Sequence, residues 1–284
     1  MNTMIANRMS KSFLLILLLA FTSNVLLAQQ NSSVPFDIEE DILLVQLDCK
    51  TDVDDIHTAA ALFTLMNHPD FRAVLYIPVA GTYGVQEGLY VPPNDLLNLA
   101  FGKKWVDAHA DREVAVKKVM KQVKKTLKSG GDVWIAEAGQ SDFSALLIQE
   151  IEHALPEIVL SERVHIVQHS NWNEEVTASE SLAFVKATID YHKIPDGNAV
   201  GNGTPGFRTP GYELWQTQLT NPHLLAVWKM AVEVGLRYNG VEGRYNNEAV
   251  AQNGLDFSDL SEVCYILGLG EIKDTAEFFE RFAQ

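Results

Sequence analysis

Between residues 42 and 191, short, largely apolar runs alternate with longer stretches in which apolar residues recur at helical spacing. Ile42-Leu-Leu-Val-Gln-Leu47 predicts a strand, and Val53 to Asn67 the helix it feeds. The same pairing recurs as a strand over Ala73 to Val79 and a helix over Trp105 to Leu127, then a strand at Val133-Trp-Ile-Ala136 and a helix over Phe143 to Leu155. A strand at Val164-His-Ile-Val167 and a helix over Ser179 to Tyr191 complete the series. Runs that are apolar throughout suit strands buried on both faces, as in a parallel sheet covered by helices on each side. The pattern therefore predicts an α/β fold with a doubly wound parallel sheet. Ligands of such sheets bind beyond the carboxyl ends of the strands, which points to the loops after Leu47, Val79, Ala136 and Val167.

Past residue 195 the alternation fades into a glycine-rich loop. Helices are expected over about Pro222 to Tyr238 and from Asp259 onward, and no strand is assigned there. Proline and glycine cluster only between 195 and 211, in a loop too short to separate domains. Residues 29–284 are read as a single domain, a size that α/β folds commonly reach.

The first residues depart from this pattern. Arg8 and Lys11 precede an apolar run from Phe13 to Phe21, and Ala28 stands before polar Gln29. The run is too short for a membrane span and has the layout of a signal peptide over residues 1–28. The mature chain is expected to be secreted or periplasmic, and free of the membrane after cleavage. No cysteine adjoins the cleavage site, so no lipid anchor is expected there.

The net charge is −15, and cleavage removes two basic residues, Arg8 and Lys11, and no acidic ones. So acidic a surface disfavours nucleic acid and anionic membranes, whose binding is carried by Lys and Arg. Lys117, Lys118, Lys121, Lys124, Lys125 and Lys128 form one basic stretch, with the spacing of a solvated helix face. Only Cys49 and Cys264 are present, too few for a disulfide scaffold, and both lie in apolar segments where buried free thiols are common.

Chemistry concentrates directly after the first strand. Asp48-Cys-Lys-Thr-Asp52-Val-Asp54-Asp55 places four carboxylates in a strand-to-helix turn. Such groups repel one another unless a cation or helix N–H groups offset the charge, and an all-oxygen set suits Ca²⁺ or Mg²⁺ rather than Zn²⁺. Asp52 or Asp54 alone could instead cap the following helix. Later loops offer Asn171, Trp172 and Asn173, and then Asn198 and Asn202. Asparagine amides can read sugar hydroxyls and Trp172 can stack on a ring, although Asn198 and Asn202 also suit plain turn chemistry. His57, one turn into the first helix, reads as packing or surface.

The first motif resembles the N-terminal signature of inosine-uridine nucleoside hydrolases, Asp-x-Asp-x-Gly-x-Asp-Asp followed by an alanine-rich helix. Asp48, Asp54, Asp55 and Ala59-Ala-Ala-Leu62 match, and Lys50 and Asp52 stand where the family has its second aspartate and its glycine. A divergent secreted branch of nucleoside-hydrolase-like proteins carries an acidic residue at the Asp52 position. Ala136-Glu-Ala-Gly-Gln-Ser141 resembles the family loop that gives a backbone carbonyl to the metal, here that of Ala138. Asp256-Phe-Ser-Asp259 resembles the distal His-Asp pair, with Ser258 in place of the histidine. Asp259 on its own reads rather as the cap of a helix running to Leu267, and only beside the first cluster as a ligand.

The resemblance implies a nucleoside-hydrolase-like fold and a Ca²⁺ cofactor held by Asp48, Asp55, Asp259 and the Ala138 carbonyl. It implies hydrolysis of the N-glycosidic bond of a nucleoside or related sugar conjugate, with Asp54 accepting from a sugar hydroxyl. Asp52 is the candidate base in place of the missing aspartate; the other outcome is that the Lys50 ammonium fills the metal's space. The partner expected is a small molecule, with self-association left open. A non-catalytic glycan- or nucleoside-binding module is the alternative, its main support being Lys50. An aspartyl phosphatase also places an aspartate after its first strand, but wants Asp-x-Asp where this chain has Asp48-Cys49-Lys50.

Overall fold

Every residue of the first strand, β1 (Ile42–Leu47), is buried, as its apolar run predicts, and its one polar member, Gln46, donates to Ser144 Oγ. It pairs in parallel with β2 (Leu75–Ala80) on one side and β4 (Val133–Ala138) on the other, so Leu47, Ala80 and Ala138 end in register. With β3 (Val106–Asp107), β5 (Val164–Gln168) and β6 (Asp190–Lys193), the sheet runs in the order β3-β2-β1-β4-β5-β6. The chain moves outward from β1 to β3, then restarts on the other side at β4. This is the doubly wound order, with its switch point between β1 and β4. The computed structural model describes residues 35–199 and 201–283, so the signal segment expected over 1–28 lies outside the described residues. No described helix is long and apolar enough to cross a membrane.

Alternation along β1 sends Leu43, Val45 and Leu47 into one core and Ile42 and Leu44 into the other. The first core is closed by α1 (Asp54–Asn67) and α2 (Asn94–Phe101), and the second by α3 (Arg112–Ser129) and α4 (Ser141–Ala154). The short α5 (Leu160–Arg163) precedes β5; α6 (Asn171–Glu175) and α7 (Ser179–Thr188) lie between β5 and β6. Beyond β6 come β7 (Arg208–Thr209), α8 (Trp215–Gln218), α9 (Pro222–Tyr238), α10 (Glu248–Ala251) and β8 (Leu255–Asp256). A 3-10 turn over Ser258–Leu260, α11 (Ser261–Ile266) and α12 (Thr275–Phe282) complete the chain.

Several expectations need correction. The helix expected from Trp105 starts at Arg112, where Asp111 accepts from the Val114 N–H as its cap; Val106–Asp107 pairs instead with Val79–Ala80 as an edge strand. The helix expected to reach Tyr191 stops at Thr188, and Asp190–Lys193 forms β6 beside β5. The strand expected over 73–79 runs two residues later at its start, and α2 was not anticipated. Past residue 195, β7 and β8 pair antiparallel, Arg208 opposite Asp256. On α3, Val119, Met120, Val123 and Leu127 are buried while Lys117, Lys118, Lys121, Lys125 and Lys128 are exposed, an ordinary amphipathic face. Both cysteines are buried and free.

Candidate functional site

The turn after β1 delivers its carboxylates into a cavity of about 340 Å³ at the switch point. Asp48 is drawn in three directions: Oδ1 accepts from the Lys50 N–H at 2.6 Å, while Oδ2 accepts from Gln140 Nε2 at 2.8 Å and Gln86 Nε2 at 3.1 Å. Helix α1 then begins at Asp54, with Val53 in the capping position and no side chain capping it. Asp52 accepts from the Val53 N–H and Asp54 from the Asp55 N–H, so neither serves as the helix cap. Asp55, 2% exposed, accepts the Cys49 N–H at Oδ2, but its Oδ1 is buried with no partner.

Asp259 arrives from more than 200 residues away, on the 3-10 turn after β8, and it too caps no helix. One oxygen each of Asp54, Asp55 and Asp259 lies within 4.8 Å of the others. The trio differs in one member from the expected set: Asp54 joins it, while both oxygens of Asp48 beside it are already occupied by donors. Ala138, the last residue of β4, lines the same cavity. Burial, then the charge of Asp259, raises the Asp54 carboxyl well above its ordinary range. Burial with Asp48 and Asp54 does the same to Asp55, and burial with Asp55 and Glu262 to Asp259. Asp48 is pushed up to about 6 by burial, tempered by its amide partners. Three converging buried carboxylates, one with an orphaned oxygen, fit a hard divalent cation, since only a positive charge or protons relieve them.

No family model, curated protein or solved structure matches this chain.

The site therefore rests on its own geometry. Lys50 does not enter the trio: its Nζ donates to the Gln86 carbonyl at 2.6 Å and sits 4.5 Å from the centre of the Tyr83 ring. Among the described residues it forms no ion pair. Asp52 faces a different group. Asn247 Nδ2 donates to Asp52 Oδ1 at 3.1 Å and to Asp256 Oδ2 at 2.8 Å, and Arg208 Nε lies 3.2 Å from Asp256 Oδ2 across the β7–β8 pair. Burial and the charge of Asp256 push Asp52 up to about 6. His57 is wholly buried, accepting the Asp256 N–H at Nδ1, and so is a packing residue.

Of the predicted sugar contacts, Trp172, Asn173 and Asn198 line the cavity. Trp172 is 47% exposed and free to stack; Asn173 is fixed by Gln140 Nε2, which donates to it at 3.1 Å. Asn171 and Asn202 are not brought there. Asn171 is an exposed first residue of α6, and Asn202 donates to the Asp196 carbonyl inside its own loop, which is turn chemistry.

Sequence reasoning assigned no role to His169, which lines the cavity at 2% exposure. Its Nδ1 lies 2.7 Å from Oε1 of fully buried Glu262 on α11, and its Nε2 is 3.7 Å from Asp259. Burial opposes the imidazolium, but the Glu262 carboxylate outweighs it, and His169 is held above its ordinary pKa. His169 follows β5 directly, as Asp48 follows β1, so the strand-end rule reaches it. Nothing local reveals Glu262, Asn247, Arg208 or Asp256 as its neighbours and those of Asp52.

Gly139 shows how tightly the loops close. A Cβ there would meet Asp48 Cβ and Thr82 Oγ1, each at 2.9 Å. Gly139→Ala is expected to displace Asp48 and, with a divalent cation seated at the trio, to weaken that ion roughly tenfold, the lower range for a disturbed outer partner of a metal site; titration calorimetry checks it.

Proposed function

We propose that this chain is an exported, metal-dependent hydrolase of nucleoside-hydrolase-like kind, cleaving the N-glycosidic bond of a nucleoside or related sugar conjugate. The observation that carries this reading is the Asp54–Asp55–Asp259 trio with the orphaned Asp55 Oδ1, facing a sugar-sized cavity at the switch point of the sheet. Calcium is the cation favoured by an all-oxygen donor set. Bound there, it would hold the sugar's vicinal hydroxyls and acidify a water beside the anomeric carbon.

The chain's own residues supply the rest. Asp52, raised to about 6, suits the removal of a proton from water near neutral pH. Asn173 and Asn198 offer amides to sugar hydroxyls, and Trp172 a face for a ring. His169 takes the part that Ser258 cannot: its imidazolium, sustained by Glu262, donates a proton to the departing group. The alternative of a non-catalytic binding module drew on Lys50 filling the metal's place, and the tether of Nζ to Gln86 does not favour it.

The reading is tested by reducing-sugar release from a panel of nucleosides and short glycosides, with calcium and with chelator, beside an Asp55→Ala control. Chelator-sensitive release that vanishes in the control supports it; silence across the panel from folded protein rejects it. Within that assay, His169→Gln is expected to lower kcat by about 10²–10⁴ with little change in KM. Glu262→Gln removes the charge that favours the imidazolium, so activity should fade at lower pH than in the parent chain.

A further inference from the structure

Away from the carboxylate cavity, the outer edge of the sheet gathers a second set of metal-ligating atoms. His165 on β5 stands opposite Asp190 on β6, and strand alternation puts His192 on the same face as Asp190. Asp190 Oδ2 lies 2.8 Å from His165 Nδ1 and 2.7 Å from His192 Nε2. All three ligand atoms fall within 4.8 Å of one another.

The surroundings orient this group. His165 is 1% exposed and stacks on Trp134 with ring centroids 4.2 Å apart. Its other nitrogen, Nε2, is buried without a hydrogen bond and faces Asp132 Oδ2 at 3.5 Å. Asp132 is itself paired with Arg163, and its N–H donates to Asp41. A histidine that turns one nitrogen to a carboxylate and the other to a ligand position is the usual arrangement in metal sites, because the carboxylate fixes the tautomer. His165 Nδ1 and His192 Nε2 thus converge on the same oxygen, Asp190 Oδ2, from two strands.

We propose that His165 Nδ1, His192 Nε2 and Asp190 bind a Zn²⁺ ion that clamps edge strand β6 to β5. Two imidazoles and one carboxylate suit zinc, whereas calcium and magnesium take oxygen sets. The fourth position falls to water, since the Asp190 and His192 side chains are 36% and 19% exposed.

The test uses the full mature chain, stripped of metal and then saturated with calcium. Zinc is titrated calorimetrically, and cobalt is followed by its visible absorption. One equivalent of zinc is expected, with nitrogen-ligated cobalt bands. His192→Ala and Asp190→Asn should each weaken zinc at least tenfold and abolish the bands, while Asp55→Asn leaves both intact. Melting curves confirm that the variants fold, and Asp190→Asn carries the test if His192→Ala does not. Absence of zinc binding overturns the proposal. So does zinc that survives both edge variants, or zinc lost only with Asp55→Asn, which would put the ion in the carboxylate cavity.

Discussion

Asp55→Asn is expected to abolish the proposed calcium binding and glycosidic hydrolysis together while raising the melting temperature of the metal-free protein. Most substitutions at buried sites destabilise, so the sign is diagnostic. Asp55 is almost wholly buried, with Asp48 and Asp54 beside it and one oxygen unpartnered. An amide of the same shape keeps an acceptor for the Cys49 N–H and relieves the like-charge contact. Relief of about 1–2 kcal/mol corresponds to several degrees in a domain of this size. Outer partners of metal ligands already account for roughly 10–100-fold in affinity, and loss of a ligand should exceed that. Thermal melts in chelator and in calcium, beside calorimetry, read both effects; an undiminished calcium response in the variant would remove the trio as the metal's seat.

A second large effect is the pH dependence of stability without metal. Asp48 and Asp52 have folded pKa values of about 6 against an ordinary 3.8, so between these values the folded chain holds more protons than the unfolded one. Their contribution is fully present below the ordinary value and lost as pH rises through about 6. Each shift, near two units, amounts to roughly 3 kcal/mol. Asp54, Asp55 and Asp259, raised further, extend the loss to higher pH. His57 acts oppositely: burial lowers it to about 4, so it weakens the fold as pH falls below its ordinary 6.5. The comparison of chelator with saturating calcium cancels His57, because calcium bound as proposed would replace protons at the carboxylates alone. The calcium-induced rise in melting temperature should therefore grow from pH 5 to pH 8, read by calorimetry on one sample series. A rise that shrinks with pH would contradict it.

Strands buried on both faces were legible because apolar residues dominate them; β1, β4 and β5 announce themselves as apolar runs despite Gln46, Glu137 and His165. β6 was not, since Asp190, His192 and Lys193 make an edge strand polar, and its first residues continue a helical spacing. β3 was hidden in the same way, two residues that read as the lead-in to a helix. At the site, Asp48 to Asp55 are adjacent in the chain and could be read directly. Asp259 came into view through resemblance, not spacing. The His169–Glu262 contact and the Asn247 bridge between Asp52 and Asp256 join distant segments, so they exist only in the folded chain.

The two margins of the sheet carry a consequence for association. β3 covers β2 only at Val79 and Ala80, and Pro78, which has no N–H to offer, stands in the stretch left uncovered. The opposite margin, β6, presents charged and imidazole side chains that resist a flat apolar neighbour. Both borders thus discourage a seventh strand, and copies of this chain that assemble are expected to meet through helical faces and not by extending the sheet.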